Sequence, residues 1–379
     1  MSFSILGIGT ATPPRRIAQR DAAILAGRLS GSAAARERTL AAIYRQTRIA
    51  HRGSVLLEEP GDEPFAQSFF PPAEGSDDGG PTTAARMARY AAEAPRLAAA
   101  AGREALARGN VSAAGVTHLV TCSCTGFAAP GVDLAVIEEL GLPPTVARCH
   151  VGFMGCHGAF NAIRAAAAFA AADPTAVVLT VCVELCSLHF QYGAGADRIV
   201  ANSIFADGAA AVVGRAASSE SDSGWRLVGQ LSEVLPGSAD SMGWIIGDHG
   251  FEMTLSAEVP GQIASAFPDL VSRLLRQSGI AAESIDHWAI HPGGPRILTA
   301  VEQALALAPS QLDRSREILA TRGNMSSATI LFILERLFAD APSQRTGAGR
   351  RHCLAAAFGP GLTAELAVFA CDAAAASAA

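Results

Sequence analysis

The sequence predicts an α/β fold made of two similar halves, each containing a largely parallel sheet covered by helices. The chain has 379 residues, of which 50% are hydrophobic, and this is enough for one large domain or two ordinary ones. Strand-like runs such as VTHLVTC and AVVLTVCVE are short and apolar on both faces, and Ala-rich helical segments separate them. Strands of this kind are typical of parallel sheets buried between layers of helices.

An internal repeat predicts the two halves. Residues 102–124 (GREALARGNVSAAGVTHLVTCSC) and residues 272–294 (SRLLRQSGIAAESIDHWAIHPGG) share the order helix, short Ala-rich turn and apolar strand. The histidines at the start of the two strands, His118 and His287, are 169 positions apart. The repeat therefore equates one helix and one strand of the first half with a helix and a strand of the second.

A second pair of segments repeats at almost the same distance. Gly155-Cys156 precedes one apolar helix, Gly323-Asn324 precedes another, and the two glycines are 168 positions apart. A constant offset over two separate elements indicates a duplicated α/β unit, with the halves in residues 1–218 and 219–379. We expect each half to supply one sheet, and the two sheets to stack into a five-layered α/β/α/β/α core.

The composition excludes several classes of protein. All 29 basic side chains are Arg and the chain contains no Lys, so Schiff-base enzymes, pyridoxal phosphate enzymes and Gly-Lys-Ser/Thr phosphate loops are excluded. The formal net charge of −6 argues against a general nucleic-acid binder, which needs a basic face to displace counterions from phosphates. An anionic ligand would have to be bound by a local group of arginines.

The N-terminus and the cysteines predict a soluble, cytoplasmic protein without a metal centre. The opening MSFSILGIGTATPP predicts a first strand rather than a secretory signal, since no basic leader precedes its apolar stretch. No apolar run of about 18 residues continues without interruption, so no membrane span is expected. The 8 cysteines contain no Cys-x-x-Cys pair, which is poor spacing for zinc, and we expect them to be mostly reduced and buried.

Three polar residues are candidates for catalysis. Cys156 lies in a Gly-rich turn before an Ala-rich helix, where the helix dipole and free N–H groups are expected to lower its pKa; a structural role is the alternative for a lone cysteine in such a turn. His291 ends the strand HWAIH and precedes a Pro-Gly-Gly-Pro turn. Asn324 matches Cys156 in the repeat. The duplication is therefore expected to bring Cys156, His291 and Asn324 together.

Four motifs carry a resemblance to a known family. MGCHGAFNAIRAA, HPGGPRIL, GNMSSATILFILE and AFGPGLTAE, in this order and spacing, resemble the type III polyketide synthases, the chalcone-synthase-like enzymes of the thiolase fold. The resemblance implies that Cys156 carries the acyl chain, and that His291 and Asn324 bind the oxyanion and assist decarboxylation. It also implies acyl-CoA and malonyl-CoA as substrates, no further cofactor, and a homodimer.

The resemblance also implies residues that shape the substrate pocket. Phe205 and Phe251 match the family's two gatekeeper aromatics, Gly293 and Gly294 are expected to contact the pantetheine arm of CoA, and Gly359-Pro360-Gly361 matches a loop that shapes the pocket. The starter pocket maps onto the segments CSCTGFAAPG and CVELCSLHF and onto a serine shortly after Asn324. The residues concerned are Cys124, Thr125, Ala129, Glu184, Cys186, His189 and Ser326.

The phosphates of CoA need basic side chains to bind them, and the positions that supply these in relatives hold no basic residue here. The three basic residues that relatives use on an early helix align with Thr39, Ala42 and Gln46. Because guanidinium groups bind phosphate well, the contact is expected to have moved to nearby arginines, of which Arg45 and Arg48 are the candidates.

Several activities remain open at this stage. The small, soft side chains at Cys124, Ala129 and Cys186 favour a tunnel for a long acyl starter, as in bacterial alkylpyrone and alkylresorcinol synthases. Cys124 and Cys186 also occur in enzymes that condense only malonyl units to tetrahydroxynaphthalene. His189 either narrows the cavity or binds a ketone oxygen. A single-step ketoacyl-ACP synthase III-like enzyme and a non-catalytic partner subunit are the further alternatives.

Overall fold

The protein is represented by a computed structural model that describes residues 2–30, 34–61, 65–193, 195–217, 224–340 and 350–372. Its strands are β1 (Phe3–Ala11), β2 (Arg16–Ala18), β3 (His51–Gly53), β4 (His118–Ser123), β5 (Ala147–Gly152), β6 (Val177–Leu185), β7 (Asp207–Ala216), β8 (Trp225–Val234), β9 (Met242–Gly247), β10 (Gly250–Leu255), β11 (Ile285–Ile290), β12 (Arg351–Gly359) and β13 (Thr363–Cys371). Its helices are α1 (Gln19–Leu29), α2 (Ala34–Gln46), α3 (Thr83–Arg108), α4 (Val132–Leu140), α5 (Gly158–Ala172), α6 (Ala196–Ile204), α7 (Val259–Ser278), α8 (Pro295–Ala304), α9 (Asp313–Arg322) and α10 (Thr329–Asp340).

Nine strands form one mixed sheet in the order β11-β12-β13-β8-β1-β7-β6-β4-β5. Within the described residues, only the pairs β4–β5, β4–β6 and β11–β12 are parallel, so the prediction of largely parallel sheets is wrong. The short connection Pro360–Leu362 between β12 and β13 shows the reason, because so few residues can join antiparallel strands but not parallel ones. Strands that are apolar on both faces indicate that helices cover both sides of the sheet, but they do not indicate whether neighbouring strands run parallel or antiparallel.

The predicted five layers are present. On β6, Val178 and Cys182 pack with the central helices, whereas Leu179 and Val181 pack with α3 on the outer face. The central cluster joins α5 and α10 to strands of both halves. Helices α7 and α8 cover the outer face of the second half. Because helices cover both sides of the sheet, its strands are expected to be apolar on both faces.

The two halves also meet edge to edge. Phe3–Ile5 of β1 pair with Trp225–Leu227 of β8, which joins the expected two sheets into one continuous ladder. The domain boundary predicted after residue 218 falls in 218–223, outside the described residues. Within the part of the chain that the structure describes, no helix is both long enough and apolar enough to cross a bilayer.

This architecture brings together the ends of strands and helices that carry the candidate catalytic residues. Cys156 lies in the turn between the end of β5 and the start of the central helix α5, and His291 follows the end of β11. Asn324 follows α9 and precedes the other central helix, α10. Carboxyl ends of strands and amino ends of helices are the usual sites of ligand chemistry in α/β folds.

Candidate active site

Cys156 lies in a tight turn that the second half of the chain supports. The turn, Gly155–His157, is a single 3-10 turn before α5. Gly155 has φ +69°, and a Cβ added there would overlap the ring of Pro360. Only glycine combines this left-handed backbone with so close an approach. The predicted loop Gly359–Gly361 therefore acts by packing behind the nucleophile turn.

Cys156, His291 and Asn324 line a single cavity, as the repeat predicts. The backbone N–H of His291 donates to the carbonyl of Ala356 at 2.8 Å. The Oδ1 atom of Asn324 accepts a hydrogen bond from the backbone N–H of Ser326 at 2.8 Å. This bond directs the amide group, and both the His291 and the Asn324 side chains are only 1% exposed.

The donors that face the cavity are largely unused. Neither ring nitrogen of His291 has a hydrogen-bond partner among the described residues. The Nδ2 atom of Asn324 has a long contact of 3.5 Å to the carbonyl of Gly293, and the Asn324 side chain also donates to the Cys156 thiol. Buried polar groups rarely stay unpaired, so these atoms are available to a ligand in the cavity. Gly293 and Gly294 line the same cavity.

Burial dominates the electrostatics of the site. It raises the pKa of Cys156 to about 11, and the charge of Glu184 acts in the same direction. Hydrogen bonds from Ser326 and Asn324 lower the pKa of Cys156 but do not outweigh burial. The pKa of the Cys156 thiol, expected to be low, is therefore raised, because loss of hydration penalises the thiolate. Burial also lowers the pKa of His291 to about 3, so the imidazole is neutral.

A polar network beside the nucleophile was missed in the sequence. The Nδ1 atom of His157 lies 2.9 Å from Oδ1 of Asn161, and Nδ2 of Asn161 donates to the buried Glu365 at 3.0 Å. Arg164 forms an ion pair with the same carboxylate, and Ser232 donates to it at 2.7 Å. The spacing of His157 and Asn161 along one helix face was the available signal.

The two predicted gatekeepers border a second chamber. Phe205 and Phe251 line it together with Cys186, His189 and Trp244. Phe205 also pairs with Asn324 in an isolated β-bridge, which places it beside the first cavity. Met253 lines both spaces. Phe205 and Met253 therefore separate the catalytic cavity from the chamber.

His189 has both ring nitrogens occupied by the protein. Nε2–H donates to the carbonyl of Thr125 at 2.7 Å, and Nδ1 accepts from the backbone N–H of Phe251 at 2.9 Å. This pattern assigns the neutral tautomer with the proton on Nε2, and burial lowers the pKa of His189 to about 3. Because neither nitrogen is free, binding of a ketone oxygen is excluded in this conformation, and His189 narrows the chamber instead.

Three residues predicted to line the starter pocket lie in neither of the two cavities described above. Glu184 is 0% exposed and accepts hydrogen bonds from Cys124 N at 3.0 Å, from Thr125 Oγ1 at 2.7 Å and from Ser327. The carboxylate of Glu184 therefore ties the Cys124–Thr125 backbone to Ser327, and the roles predicted for Glu184 and Thr125 towards substrate stay predictions. Ala129 lies exposed on the surface loop before α4, so its place in the starter pocket stays a prediction.

Cys124 and Ser326 form a contact behind the nucleophile. The Sγ atom of Cys124 lies 3.1 Å from Oγ of Ser326, and both side chains are buried. Because Ser326 hydrogen-bonds to Cys156, the pair lies next to the reacting thiol. The soft floor predicted from Cys124 is thus at Cys156, whereas Cys186 lies in the second chamber.

The arginines predicted to bind CoA do not line the cavity. From the α2 segment, Ile43, Gln46 and Thr47 face it, while Arg45 and Arg48 are exposed elsewhere on the surface. The helical repeat explains the position of Arg45, since i, i+3 and i+4 share a face and the position between them does not, while Arg48 lies beyond the end of α2. Nor do the described residues contain a group of three or more His, Cys, Asp or Glu that can hold a metal.

A five-layered α/β core with Cys, His and Asn in one cavity between its halves defines an acyl-condensing enzyme of the thiolase-like class. Residues 2–217 match the N-terminal domain of chalcone and stilbene synthases, and residues 226–371 match their C-terminal domain. The chain therefore belongs to this family and is a type III polyketide synthase, an acyltransferase.

Relatives and solved structures agree with this assignment. The "Alpha-pyrone synthesis polyketide synthase-like Pks18" of Mycobacterium tuberculosis is 35% identical over 367 residues, which cover 95% of this chain and 89% of that protein. PKS-I from the brown alga Ectocarpus siliculosus has a TM-score of 0.89 and 29% identity, covering 98% of both chains. The C-terminal type III domain of Steely1 from Dictyostelium has a TM-score of 0.84 and 27% identity, covering 98% of this chain and 100% of that chain.

Proposed function

We propose that this enzyme loads a medium- or long-chain fatty acyl group from CoA onto Cys156 and extends it repeatedly with malonyl-CoA. The product is released as an alkylpyrone or an alkylresorcinol. The observation that carries the proposal is the apolar chamber behind Phe205 and Phe251, which adjoins the catalytic cavity. The similarity to a relative described by α-pyrone synthesis gives further support.

Loading follows from the pair of neutral groups. The Sγ atom of Cys156 attacks the carbonyl carbon of the acyl-CoA, and the neutral imidazole of His291 takes the thiol proton. The carbon–sulfur bond to CoA then breaks, and the CoA thiolate leaves with that proton. Proton transfer from Cys156 to His291 is the step that produces the thiolate nucleophile.

Extension uses the unpaired donors. Malonyl-CoA loses CO₂ and leaves an enolate, whose negative oxygen accepts hydrogen bonds from the His291 N–H and from Nδ2 of Asn324. The enolate carbon attacks the Cys156 thioester, the bond to Sγ breaks, and the lengthened chain is now attached to CoA. An acidic side chain at position 324 would repel the enolate, which explains the amide.

The second chamber fits a hydrocarbon chain. Beyond Cys186 and Phe251 its walls are mostly apolar side chains from α1 and from the segments before α3. Burial of methylene groups against such walls contributes about 0.8 kcal/mol each. These residues are Ala22, Leu25, Ala26, Leu29, Leu56, Leu57 and Phe70.

The proposal is tested by supplying malonyl-CoA with and without lauroyl-CoA and identifying products by mass spectrometry. The expected products contain one lauroyl group and two or more malonyl-derived units. Equal turnover with malonyl-CoA alone would instead favour a tetrahydroxynaphthalene synthase, and products with one malonyl-derived unit would favour a ketoacyl synthase. The Cys156→Ala variant is expected to form no acyl-enzyme and no polyketide.

A substitution that fills the chamber tests whether it binds the acyl chain without changing the catalytic residues. Ala26→Phe places a ring in the chamber wall and is expected to lower kcat/KM for lauroyl-CoA at least about tenfold, with butyryl-CoA little affected. Ala107→Phe on the exposed side of α3 is the matched control. An equal loss for both starters would argue against the chamber as the acyl site.

We also propose that the enzyme is a homodimer. Phe127 and Met154 are 51% and 42% exposed, and β5 forms an edge of the large sheet, with no strand of the described residues paired to its outer side. Exposed apolar side chains beside an open strand edge favour association with another chain. A dimer mass is expected in light scattering, and a monomer at working concentration would contradict the proposal.

A further inference from the structure

We propose that Arg296 binds the phosphates of the CoA thioesters in this enzyme. This inference deepens the proposed function, since it rests on CoA thioesters as substrates, and it is independent of the starter chain. Arg296 is the second residue of α8 and lines the cavity that contains Cys156 and His291. It is the only Arg among the described residues that line this cavity.

The guanidinium of Arg296 is available to a ligand. The side chain is exposed, and its Nη2 donates a long hydrogen bond of 3.5 Å to the carbonyl of Ala257. No carboxylate of the described residues lies within ion-pair distance of it. By contrast, Arg273 and Arg316 on nearby surfaces form ion pairs with Glu233 and Glu302. An unpaired guanidinium presents a fork of donors that matches phosphate oxygens.

The position of Arg296 fits the shape of a CoA thioester. Gly293 and Gly294 line the cavity between His291 and Arg296, so an extended pantetheine arm can pass along their backbone towards the thiol. α8 begins after Gly294 without a side-chain cap, and its positive end adds to the attraction for an anion. When the phosphates bind at Arg296, the pantetheine arm can therefore extend into the cavity and place the thioester at the catalytic residues.

The remaining walls of the entrance supply no competing cation. Gln46 and Thr47 face the cavity from the α2 segment without charge. Asp197 lines it from α6 and is exposed, so its carboxylate repels phosphates. Among the charged side chains that line this cavity, Arg296 on α8 is therefore the one that attracts the phosphates of CoA, although Glu233, Glu258 and Asp269 line the neighbouring pocket on its other side.

The test compares two kinds of thioester. Arg296→Ala is assayed with malonyl-CoA and with malonyl N-acetylcysteamine, which has the same thioester but no phosphates. The KM for malonyl-CoA is expected to rise at least about tenfold at nearly constant kcat, and the KM for the phosphate-free thioester is expected to stay the same. Equal effects on both thioesters, or no effect on either, would overturn the proposal.

Matched variants locate the charge. Arg45→Ala and Arg48→Ala are expected to leave the KM for malonyl-CoA unchanged, and a rise in either, with none in Arg296→Ala, would also overturn the proposal. Arg296→Lys is expected to restore part of the affinity. Asp197→Asn is expected to lower the KM for malonyl-CoA, because it removes a repulsive charge.

Calorimetric titration with CoA itself makes the test independent of turnover. Wild-type enzyme is expected to bind CoA at least about tenfold more tightly than Arg296→Ala, and the difference is expected to shrink as salt is added. Because no acyl group takes part, this result does not depend on which starter or product the enzyme uses. Equal affinity in the two proteins, with thermal unfolding showing both folded, would exclude Arg296 as the phosphate contact.

Discussion

His189 and Phe251 lie face to face, with ring centroids 4.1 Å apart and ring planes 13° from parallel. The backbone N–H of Phe251 donates to Nδ1 of the same histidine at 2.9 Å, and Trp244 packs its edge against His189 with centroids 5.5 Å apart. The position of the gatekeeper Phe251 therefore depends on an uncharged histidine that contacts it through both ring and backbone.

His189→Ala is expected to change which products are made. The variant removes both the ring contact and the acceptor for the Phe251 N–H, so the gatekeeper gains freedom and the chamber widens. We expect acceptance of longer or bulkier starters, and a loss of about 1–3 kcal/mol in the free energy of unfolding. Mass spectrometry of products from a series of acyl-CoAs measures the first effect, and urea unfolding the second. An unchanged starter profile would contradict this role for His189.

Gly155→Ala is expected to damage the nucleophile turn. The new Cβ would meet the ring of Pro360 at a backbone position with φ +69°. Gly141→Ala is the matched control, because Gly141 has φ +65° and nothing lies within 4 Å of the added Cβ. Both variants should lose about 1 kcal/mol from the left-handed backbone, and only Gly155→Ala should lose more stability and most of its activity. Equal losses would show that Pro360 exerts no constraint.

Ser326→Ala is expected to make Cys156 less reactive at a given pH. The hydrogen bond from Ser326 lowers the pKa of the Cys156 thiol, so its removal should shift the thiol pKa upward by up to about one unit. The measurement is the rate of Cys156 alkylation by iodoacetamide against pH, followed on the Cys156 peptide by mass spectrometry. Ser310→Ala, at an exposed site, is the control. A downward shift would refute the assigned direction of this bond.

Asn324→Asp is expected to separate loading from decarboxylation. A carboxylate in place of the amide repels the enolate, and we expect release of CO₂ from malonyl-CoA to fall at least about 100-fold. Acyl transfer to Cys156 should persist, because it does not form an enolate. Release of labelled CO₂ and the mass of the acyl-enzyme measure the two steps, with Asn110→Asp on the surface as control. Normal CO₂ release would contradict the role given to Asn324.

The fold and the catalytic cavity were largely predictable from local patterns. The constant offset between Gly155-Cys156 and Gly323-Asn324 predicted two related halves, and the structure places Cys156 and Asn324 in one cavity. The family assignment is confirmed over both halves of the chain. The strand directions were not predictable, because an apolar residue on either face of a strand has the same partners in a parallel as in an antiparallel sheet.

The surroundings of Thr125, Glu184 and Ala129 show what sequence spacing does not reveal about the predicted pocket. Thr125 and Glu184 are polar residues beside the site, and sequence spacing does not show that their oxygens bind each other at 2.7 Å. Ala129 lies close to Cys124 in the sequence, but the loop between them runs to the surface. Distance along the chain therefore predicts which segment reaches the site, and side-chain contacts decide which of its residues face the substrate.

The sequence by itself determined the family, the duplicated α/β core and the identity of Cys156, His291 and Asn324, because each belongs to a short motif whose turn and helix are locally encoded. Only the tertiary structure showed that His189 is neutral and fully hydrogen-bonded, and that Arg296 rather than Arg45 lines the cavity. These properties depend on burial and on contacts between residues far apart in the chain. Burial and these contacts decide how well each ionisable group is hydrated and which charges lie near it. Hydration and neighbouring charges in turn set the pKa values of the site and its attraction for anions.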